Sequence, residues 1–106
     1  MSVHAIRLRG FWTAAEVEPG RVRYARNFGR PRTLDAGETV WLVGSRSPGA
    51  GQVLLNWQPV GAIHADEPFA FEITSILQPR NTVEIEIAAG EDKLLGEIAL
   101  EIRSSD

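Results

Sequence analysis

Few side chains in this sequence could carry out covalent or acid–base chemistry. Cysteine is absent, and the only two histidines are His4 and His64. Thiol catalysis, disulfides and thiolate metal sites are therefore excluded, and little remains for a zinc site. No serine stands in a nucleophile elbow, and no two acids stand out as the carboxyl pair of a glycosidase. We expect neither a catalytic residue nor a metal or cofactor.

Two kinds of loop in the sequence have residues that could bind an ion. Residues 44–51 are rich in glycine but lack the lysine and the following hydroxyl of a phosphate-binding loop, so a mobile loop between strands is favoured. Two acidic pairs, Asp66 with Glu67 and Glu91 with Asp92, are the loop positions that could attract calcium. Both pairs lack the alternating oxygen ligands of a strong calcium site.

Aromatic side chains indicate a ligand more clearly. Trp57 falls in a predicted turn between Asn56 and Gln58, where no core can bury it. A flat ring can cover the apolar C–H face of a sugar, while the flanking amides supply donors and acceptors for hydroxyls. The alternative is that the ring folds back as a lid over the end of the domain. Trp12 and Trp41 are expected in the core or between sheets.

Charge is distributed unevenly along the chain. The net charge is −3, yet residues 1–53 hold eight arginines and four acids, whereas residues 54–106 hold three bases and ten acids. Five arginines fall at positions 21, 23, 26, 30 and 32. Such a run can bind a polyanion, but a solvated strand face with acidic neighbours is favoured. We predict that Arg21 and Arg23 pair across strands with Glu84 and Glu86.

Arg26 is the odd residue in its strand. It shares a face with Tyr24 and Phe28, which is the apparent core face. A buried guanidinium needs a carboxylate or carbonyl groups around it, and we predict a buried ion pair with Glu72 or Glu38. An exposed guanidinium would instead make Arg26 a candidate ligand-binding residue.

The pattern of apolar residues predicts strands. Alternation with a period of two is clear over 82–88 and 97–102, and it recurs over 3–9, 21–28 and 69–73. Two further runs, 39–43 and 52–55, are denser in apolar residues and are expected to be more deeply buried. Turn signals separate these runs, a capped helical turn is predicted at 74–77, and 13–17 is a weaker helix candidate. Seven or so short strands in 106 residues indicate a single domain over 1–106, an all-β two-sheet antiparallel β-sandwich. A small barrel is the second choice.

Composition and the chain start suggest where the protein works. Hydrophobic residues make up 43% and charged residues 24%, which is an ordinary globular balance. The acidic net charge argues against nucleic acid as a partner. No stretch resembles a signal peptide or a membrane span, so a cytoplasmic location and no membrane contact are expected.

Five motifs in order carry a family resemblance. They are Tyr24-Ala25-Arg26-Asn27-Phe28, Val40-Trp41-Leu42-Val43, the segment 53–61 with its Asn56 turn, Phe69-Ala70-Phe71-Glu72-Ile73-Thr74, and the strand from Thr82 that follows Asn81. Over residues 22–88 the sequence resembles the N-terminal sugar-binding domain of family 2 glycoside hydrolases, a galactose-binding-like jelly roll. Trp57 replaces the glycine of the family's turn, Glu72 replaces an aspartate, and the 106 residues contain no catalytic barrel.

The resemblance and the residues together favour a non-catalytic module that binds a carbohydrate weakly. Trp57, Asn56, Gln58 and Arg26 are its predicted ligand-binding residues. The alternative is a structural or protein-interaction domain that docks a partner or its own copy. Because tryptophan disfavours positive φ, the turn at Trp57 is expected to be strained or widened.

Overall fold

The computed structural model describes residues 2–88 and 95–104, which fold into two antiparallel sheets packed face to face. The four-stranded sheet has the order β1-β9-β4-β7, and the five-stranded sheet has the order β2-β3-β8-β5-β6. The predicted β-sandwich is confirmed. The strands are β1 Val3–Arg7, β2 Thr13–Glu18, β3 Arg21–Gly29, β4 Glu38–Gly44, β5 Gly51–Leu55, β6 Gln58–Ile63, β7 Phe69–Glu72, β8 Arg80–Ala88 and β9 Ile98–Ser104, with a 3₁₀ turn at Thr74–Ile76.

The core lies between the two sheets and is built by alternation. In β8 the side chains of Val83, Ile85 and Ile87 are buried, and in β4 those of Val40 and Leu42 are completely buried. Burying each such side chain contributes roughly 1.5–3 kcal/mol relative to leaving it exposed. The wet face of each strand is therefore the face on which polar side chains can serve another purpose.

Two strands differ from the sequence prediction. Residues 13–17 form most of edge strand β2 rather than a helix. A separate strand, β6, follows β5 after a turn of two residues, and the sequence pattern did not predict it. Every residue of β2 is exposed, so no apolar period marks it as a strand. In β6 the pattern is hidden by Pro59 and Gly61, and Gly61 is required because a Cβ there would lie 2.4 Å from the Phe71 ring.

The helical turn predicted at 74–77 is present but is not capped as expected. It is a 3₁₀ turn without a side-chain cap at Ile73. The hydroxyl of Thr74 instead accepts from the backbone N–H of Val40 at 2.9 Å, since β4 lies beside the turn. This hydrogen bond fastens the turn to β4, a core strand of the four-stranded sheet.

The glycine-rich segment 44–51 is anchored, so its interpretation as a mobile loop is wrong. Ser47 is buried, and its backbone exchanges hydrogen bonds with Glu67 and Asp66. Gly51 packs so closely on β8 that a Cβ would lie 1.8 Å from the carbonyl oxygen of Glu86. The glycines permit close backbone packing, a use that the sequence pattern shares with loops that bind phosphate.

The two remaining tryptophans divide between core and surface. Trp12 packs partly buried against the core, as predicted, and its indole N–H donates to the Leu8 carbonyl at 2.9 Å. Trp41 lies on the outer face of the four-stranded sheet, so its predicted place in the core is wrong. It alternates with the buried Val40 and Leu42, and the Arg103 guanidinium lies 4.3 Å from the centre of its ring.

No helix among the residues described is long and apolar enough to cross a membrane.

Candidate functional site

The candidate site is built on the two-residue turn that joins β5 to β6. Leu55 pairs directly with Gln58, and the residues between them, Asn56 and Trp57, have φ angles of 51° and 66°. Two consecutive positive φ values are the signature of the tight type I′ hairpin turn. Of the two outcomes expected for this turn, it is strained and not widened, because Trp57 itself adopts the left-handed conformation.

Asn56 is what holds this turn in place. Its side-chain amide donates to the carbonyl of Ile76 at 3.3 Å and to Oδ1 of Asn81 at 3.1 Å. Its Oδ1 accepts from the backbone N–H of Thr82 at 2.9 Å, and its own backbone N–H donates to the Thr82 carbonyl at 2.8 Å. Both amide protons are thus used inside the protein. Asn56, predicted as a ligand-binding residue, is placed by these bonds as a positioning residue.

Trp57 projects from the turn with 71% of its surface exposed, as expected for a residue with no core to enter. It separates two open grooves of about 530 and 630 Å³. The first groove runs onto the outer face of the five-stranded sheet, and the second runs toward the 3₁₀ turn. The ring is therefore a wall common to both grooves.

The grooves combine the tryptophan with polar side chains. Around the first lie Asn27, Phe28, Gly29, Asn56, Trp57, Arg80, Asn81 and Thr82; around the second lie Asn56, Trp57, Gln58, Ser75, Ile76, Gln78, Pro79 and Arg80. Gln58 is exposed and lines the second groove, beside Trp57 as predicted. Within residues 2–88 and 95–104, no acidic side chain lines either groove, and Arg80 is the one charged residue that lines both.

Sequence reasoning missed Arg80, Asn27, Ser75 and Gln78 as groove residues. Arg80 stands about two dozen positions from Trp57 in the chain, and the two meet only because β5 pairs with β8. The sequence does show that one strand ends before Asn56 and that another starts near Asn81. If these two strands are neighbours, the two residues share an end of the sheet. Nothing in the residue types themselves marks this contact.

Arg26 lies outside both grooves, and its predicted partner was wrong. Its guanidinium donates to the carbonyls of Gly10 at 2.9 Å and Arg9 at 3.2 Å, and to that of Asn27 at 3.1 Å. It is half-buried, with Phe11 beside it, because the chain crossing from β1 to β2 covers this side of the sandwich. Carbonyl groups satisfy the guanidinium, so the predicted ion pair with a buried carboxylate is not found there.

The carboxylates expected for Arg26 stand elsewhere. Glu38 binds Arg32 through both oxygens, at 2.9 and 2.7 Å, and accepts the backbone N–H of Asp35 at 2.7 Å. These bonds, that to Arg32 foremost, lower the pKa of Glu38 to about 2. Glu72 is exposed at the end of β7.

The predicted pairing of Arg21 and Arg23 with Glu84 and Glu86 is confirmed. Arg23 lies 3.3 Å from Glu84 and 2.6 Å from Glu86, and Arg21 lies 3.8 Å from Glu86. The hydrogen bond from Arg23 lowers the pKa of Glu86. Both glutamates are largely covered rather than solvated, with side-chain exposures of 11% and 13%. Matched acids thus account for this part of the arginine run.

The acidic loop pairs do not form a metal centre in the part of the chain that is described. Asp66 is held by Arg46, whose Nη2 lies 2.6 Å from its Oδ1. Glu91 and Asp92 lie outside the described residues. Within 2–88 and 95–104 no group of three or more histidines or acids is close enough to hold a metal ion.

No family model and no curated protein matches the sequence. Solved structures do match. A β-glucuronidase of Bifidobacterium dentium, complexed with coumarin-3-O-glucuronide, has a TM-score of 0.81 at 17% identity, over 99% of this chain and 31% of its own. The β-D-glucuronidase of Dictyoglomus thermophilum has a TM-score of 0.79 at 14% identity, over 98% and 28%. A putative β-galactosidase from Bacteroides fragilis has a TM-score of 0.75 at 14% identity, over 98% and 24%.

The likeness extends over nearly the whole of this chain and over about a quarter to a third of each matched enzyme. At these identities the common property is the fold. The chain has the jelly-roll fold found in family 2 glycoside hydrolases, as its five motifs predicted.

Proposed function

We propose that this protein is a non-catalytic module that binds a carbohydrate weakly at the surface around Trp57. The observation that carries the proposal is an indole ring, 71% exposed on a residue held at a φ of 66°, between two grooves that are lined by available polar side chains. Left-handed backbone costs a residue with a side chain roughly 1–2 kcal/mol. Strain of this kind is found where the residue that causes it has a use.

The neighbourhood of the ring suits a sugar. The indole offers a flat apolar face, and amides and hydroxyls from Gln58, Gln78 and Ser75 line the groove on one side. On the other side Thr82 donates to Asn27 at 2.8 Å, which leaves hydroxyl lone pairs and amide protons toward the groove. One aromatic platform with a few adaptable polar groups in an open groove favours low affinity.

Two further observations support a binding role without catalysis. In the part of the chain that the structure describes, no acidic residue lines the grooves beside Trp57, whereas glycoside hydrolysis requires two carboxyl groups facing the scissile bond. The matched enzymes are glycosidases, and the matched part is at most about a third of their length. A sugar-binding accessory role fits both points.

Titration with a panel of neutral and acidic oligosaccharides, followed by tryptophan fluorescence and calorimetry, tests the proposal. Wild type is compared with Trp57→Ala, and Phe11→Ala is the matched control because Phe11 is also an exposed aromatic, at 88%. We expect at least one glycan to bind wild type and Phe11→Ala but not Trp57→Ala. Equal binding by all three proteins, or binding by none, would overturn the assignment.

Edge strand β2 supports the second candidate, association with another copy. All six residues of β2 are exposed, and among the described residues the strand pairs only with β3, so one row of backbone groups faces outward. Bare edges of this kind can add a strand from another chain. Light scattering over a range of concentrations tests this, with Val17→Lys expected to abolish any dimer. A monomer at all concentrations would eliminate this candidate.

A further inference from the structure

We infer that the saccharide bound at Trp57 is acidic, and that Arg80 binds its carboxylate or sulfate group. The inference rests on the proposed function and adds the chemical class of the ligand. It is carried by the position of Arg80 beside the ring and by the absence of a partner for its charge among the described residues.

Arg80 is placed where a ligand on the indole would reach it. It is exposed and starts β8, and its side chain lines both grooves that flank Trp57. Asn81, next in the chain, is buried, so Arg80 and Thr82 share the outer face of the sheet with the first groove. A sugar stacked on the ring would therefore have a guanidinium within the same surface.

The charge of Arg80 is not neutralised within the described residues, where no carboxylate lies within ion-pair distance of it and no hydrogen bond involves its guanidinium. The other arginines nearby all have partners. Glu18, Glu84 and Glu86 serve Arg21 and Arg23, Glu38 serves Arg32, and backbone carbonyls serve Arg26 and Arg30. A solvated guanidinium without an internal partner can form a charge-assisted bond with a ligand at no cost to another contact.

The acids of the same sheet face are too firmly held to compete. Glu84 is the nearest acid to Thr82 along β8, and it is bound by Arg23 at 3.3 Å. Among the described residues that line the grooves, Arg80 is therefore the one whose charge contributes to the electrostatic potential there. A guanidinium binds a carboxylate or a sulfate group through two parallel N–H donors, one to each of two oxygen atoms. A neutral hydroxyl has only one oxygen and cannot accept both bonds in this geometry.

Charge-matched probes test the inference. One arm compares trigalacturonic acid with its methyl ester, which keeps the rings and removes the charge. The other compares a sulfated carrageenan tetrasaccharide with its desulfated form. The proteins are wild type, Arg80→Gln and Arg46→Gln, the last being an exposed arginine that lies outside both grooves.

In at least one arm we expect wild type and Arg46→Gln to bind the charged probe about tenfold tighter than its neutral form, and Arg80→Gln to bind the two equally. The arm that shows the preference identifies carboxylate or sulfate as the group bound. Equal binding of both forms by wild type, or a preference that Arg80→Gln retains, would overturn the inference while leaving sugar binding at Trp57 intact. Binding of no probe, charged or neutral, overturns both.

Discussion

Two turns in this protein present an exposed aromatic ring on left-handed backbone, and they differ in what surrounds the ring. In the Trp57 turn, Asn56 and Trp57 have φ angles of 51° and 66°; in the Phe11 turn, Gly10 and Phe11 have φ angles of 66° and 60°. The rings are 71% and 88% exposed. By exposure and backbone strain alone, Phe11 would be the better candidate for a binding residue.

The cations beside the rings show why Phe11 is the weaker candidate. The Arg26 guanidinium lies 5.7 Å from the centre of the Phe11 ring but is bonded to the carbonyls of Gly10 and Arg9. It fixes the crossing from one sheet to the other. Arg80 beside Trp57 has no such partner among the described residues and lines open grooves. Exposure marks a candidate site only when polar groups beside the ring remain available.

The two turns also differ in how their backbone is held. Asn56 fastens its turn with hydrogen bonds to three other residues, Ile76, Asn81 and Thr82. A Cβ placed on Gly10 would meet no atom within 4 Å. The Trp57 turn is therefore held by the side chain of its own first residue, whereas Gly10 has no side chain, adopts positive φ freely and is held through its carbonyl by Arg26.

The largest effect is expected from Asn56→Ala. It leaves the Ile76 carbonyl and the Thr82 amide without their partner and places alanine at positive φ, so stability should fall by about 2–3 kcal/mol. Gly10→Ala, which meets only the backbone penalty, should cost about 1–2 kcal/mol. Urea unfolding of the two variants measures the difference. An equal or larger loss for Gly10→Ala would show that the two turns are held alike.

A smaller effect is expected when each ring is replaced by glycine. Trp57→Gly relieves the left-handed strain, less the conformational entropy of glycine, so stability should rise by up to about 1 kcal/mol. Phe11→Gly should gain less because it also removes the contact with Arg26. Thermal unfolding measures both variants. A fall of several degrees for Trp57→Gly would mean that the ring stabilises the end of the sandwich, as the alternative interpretation of the sequence held.

The smallest effect is expected in acid. Because the pKa of Glu38 is lowered to about 2, its bonds to Arg32 stabilise the folded protein above the ordinary glutamate pKa of about 4.3 and lose that contribution as the pH falls toward 2. Glu38→Gln should therefore be less stable than wild type near neutral pH, and the gap should close in acid. Melting temperatures across this range test it. Neither turn has a titratable side chain, so the ranking of the turn variants should survive in acid.

The sequence predicted the strands that have one buried and one wet face, and it did so because burial imposes the period. β8 alternates Val83, Ile85 and Ile87 with Glu84 and Glu86, and this pattern predicts a strand directly. β2, exposed on both faces, has no such period, and β6 is shaped by close packing of Gly61 on Phe71 rather than by alternation.

The candidate site was only half predictable for a related reason. Trp57 could be identified because a turn between two strands offers no core, which is a local property of the sequence. Arg80 could not, because the pairing of Leu55 with Val83 brings it to the same end of the sheet from a distant part of the chain. The predicted partner of Arg26 was wrong because the sequence shows on which face of β3 the residue lies, but not that the chain between β1 and β2 covers that face.

The buried side chain of Asn81 links the turn that carries Trp57 to the rest of the sandwich. This buried amide joins segments far apart in the chain, since it accepts from Asn56 and from the Gln78 backbone and donates to the carbonyls of Gln78 and Phe28. Its four bonds can coexist only when β3, β5 and β8 are all docked. The amide protons that it and Asn56 protect should then exchange with solvent only through global opening. We therefore expect the Trp57 surface to form in the same cooperative step as the core rather than through a loop that orders afterwards.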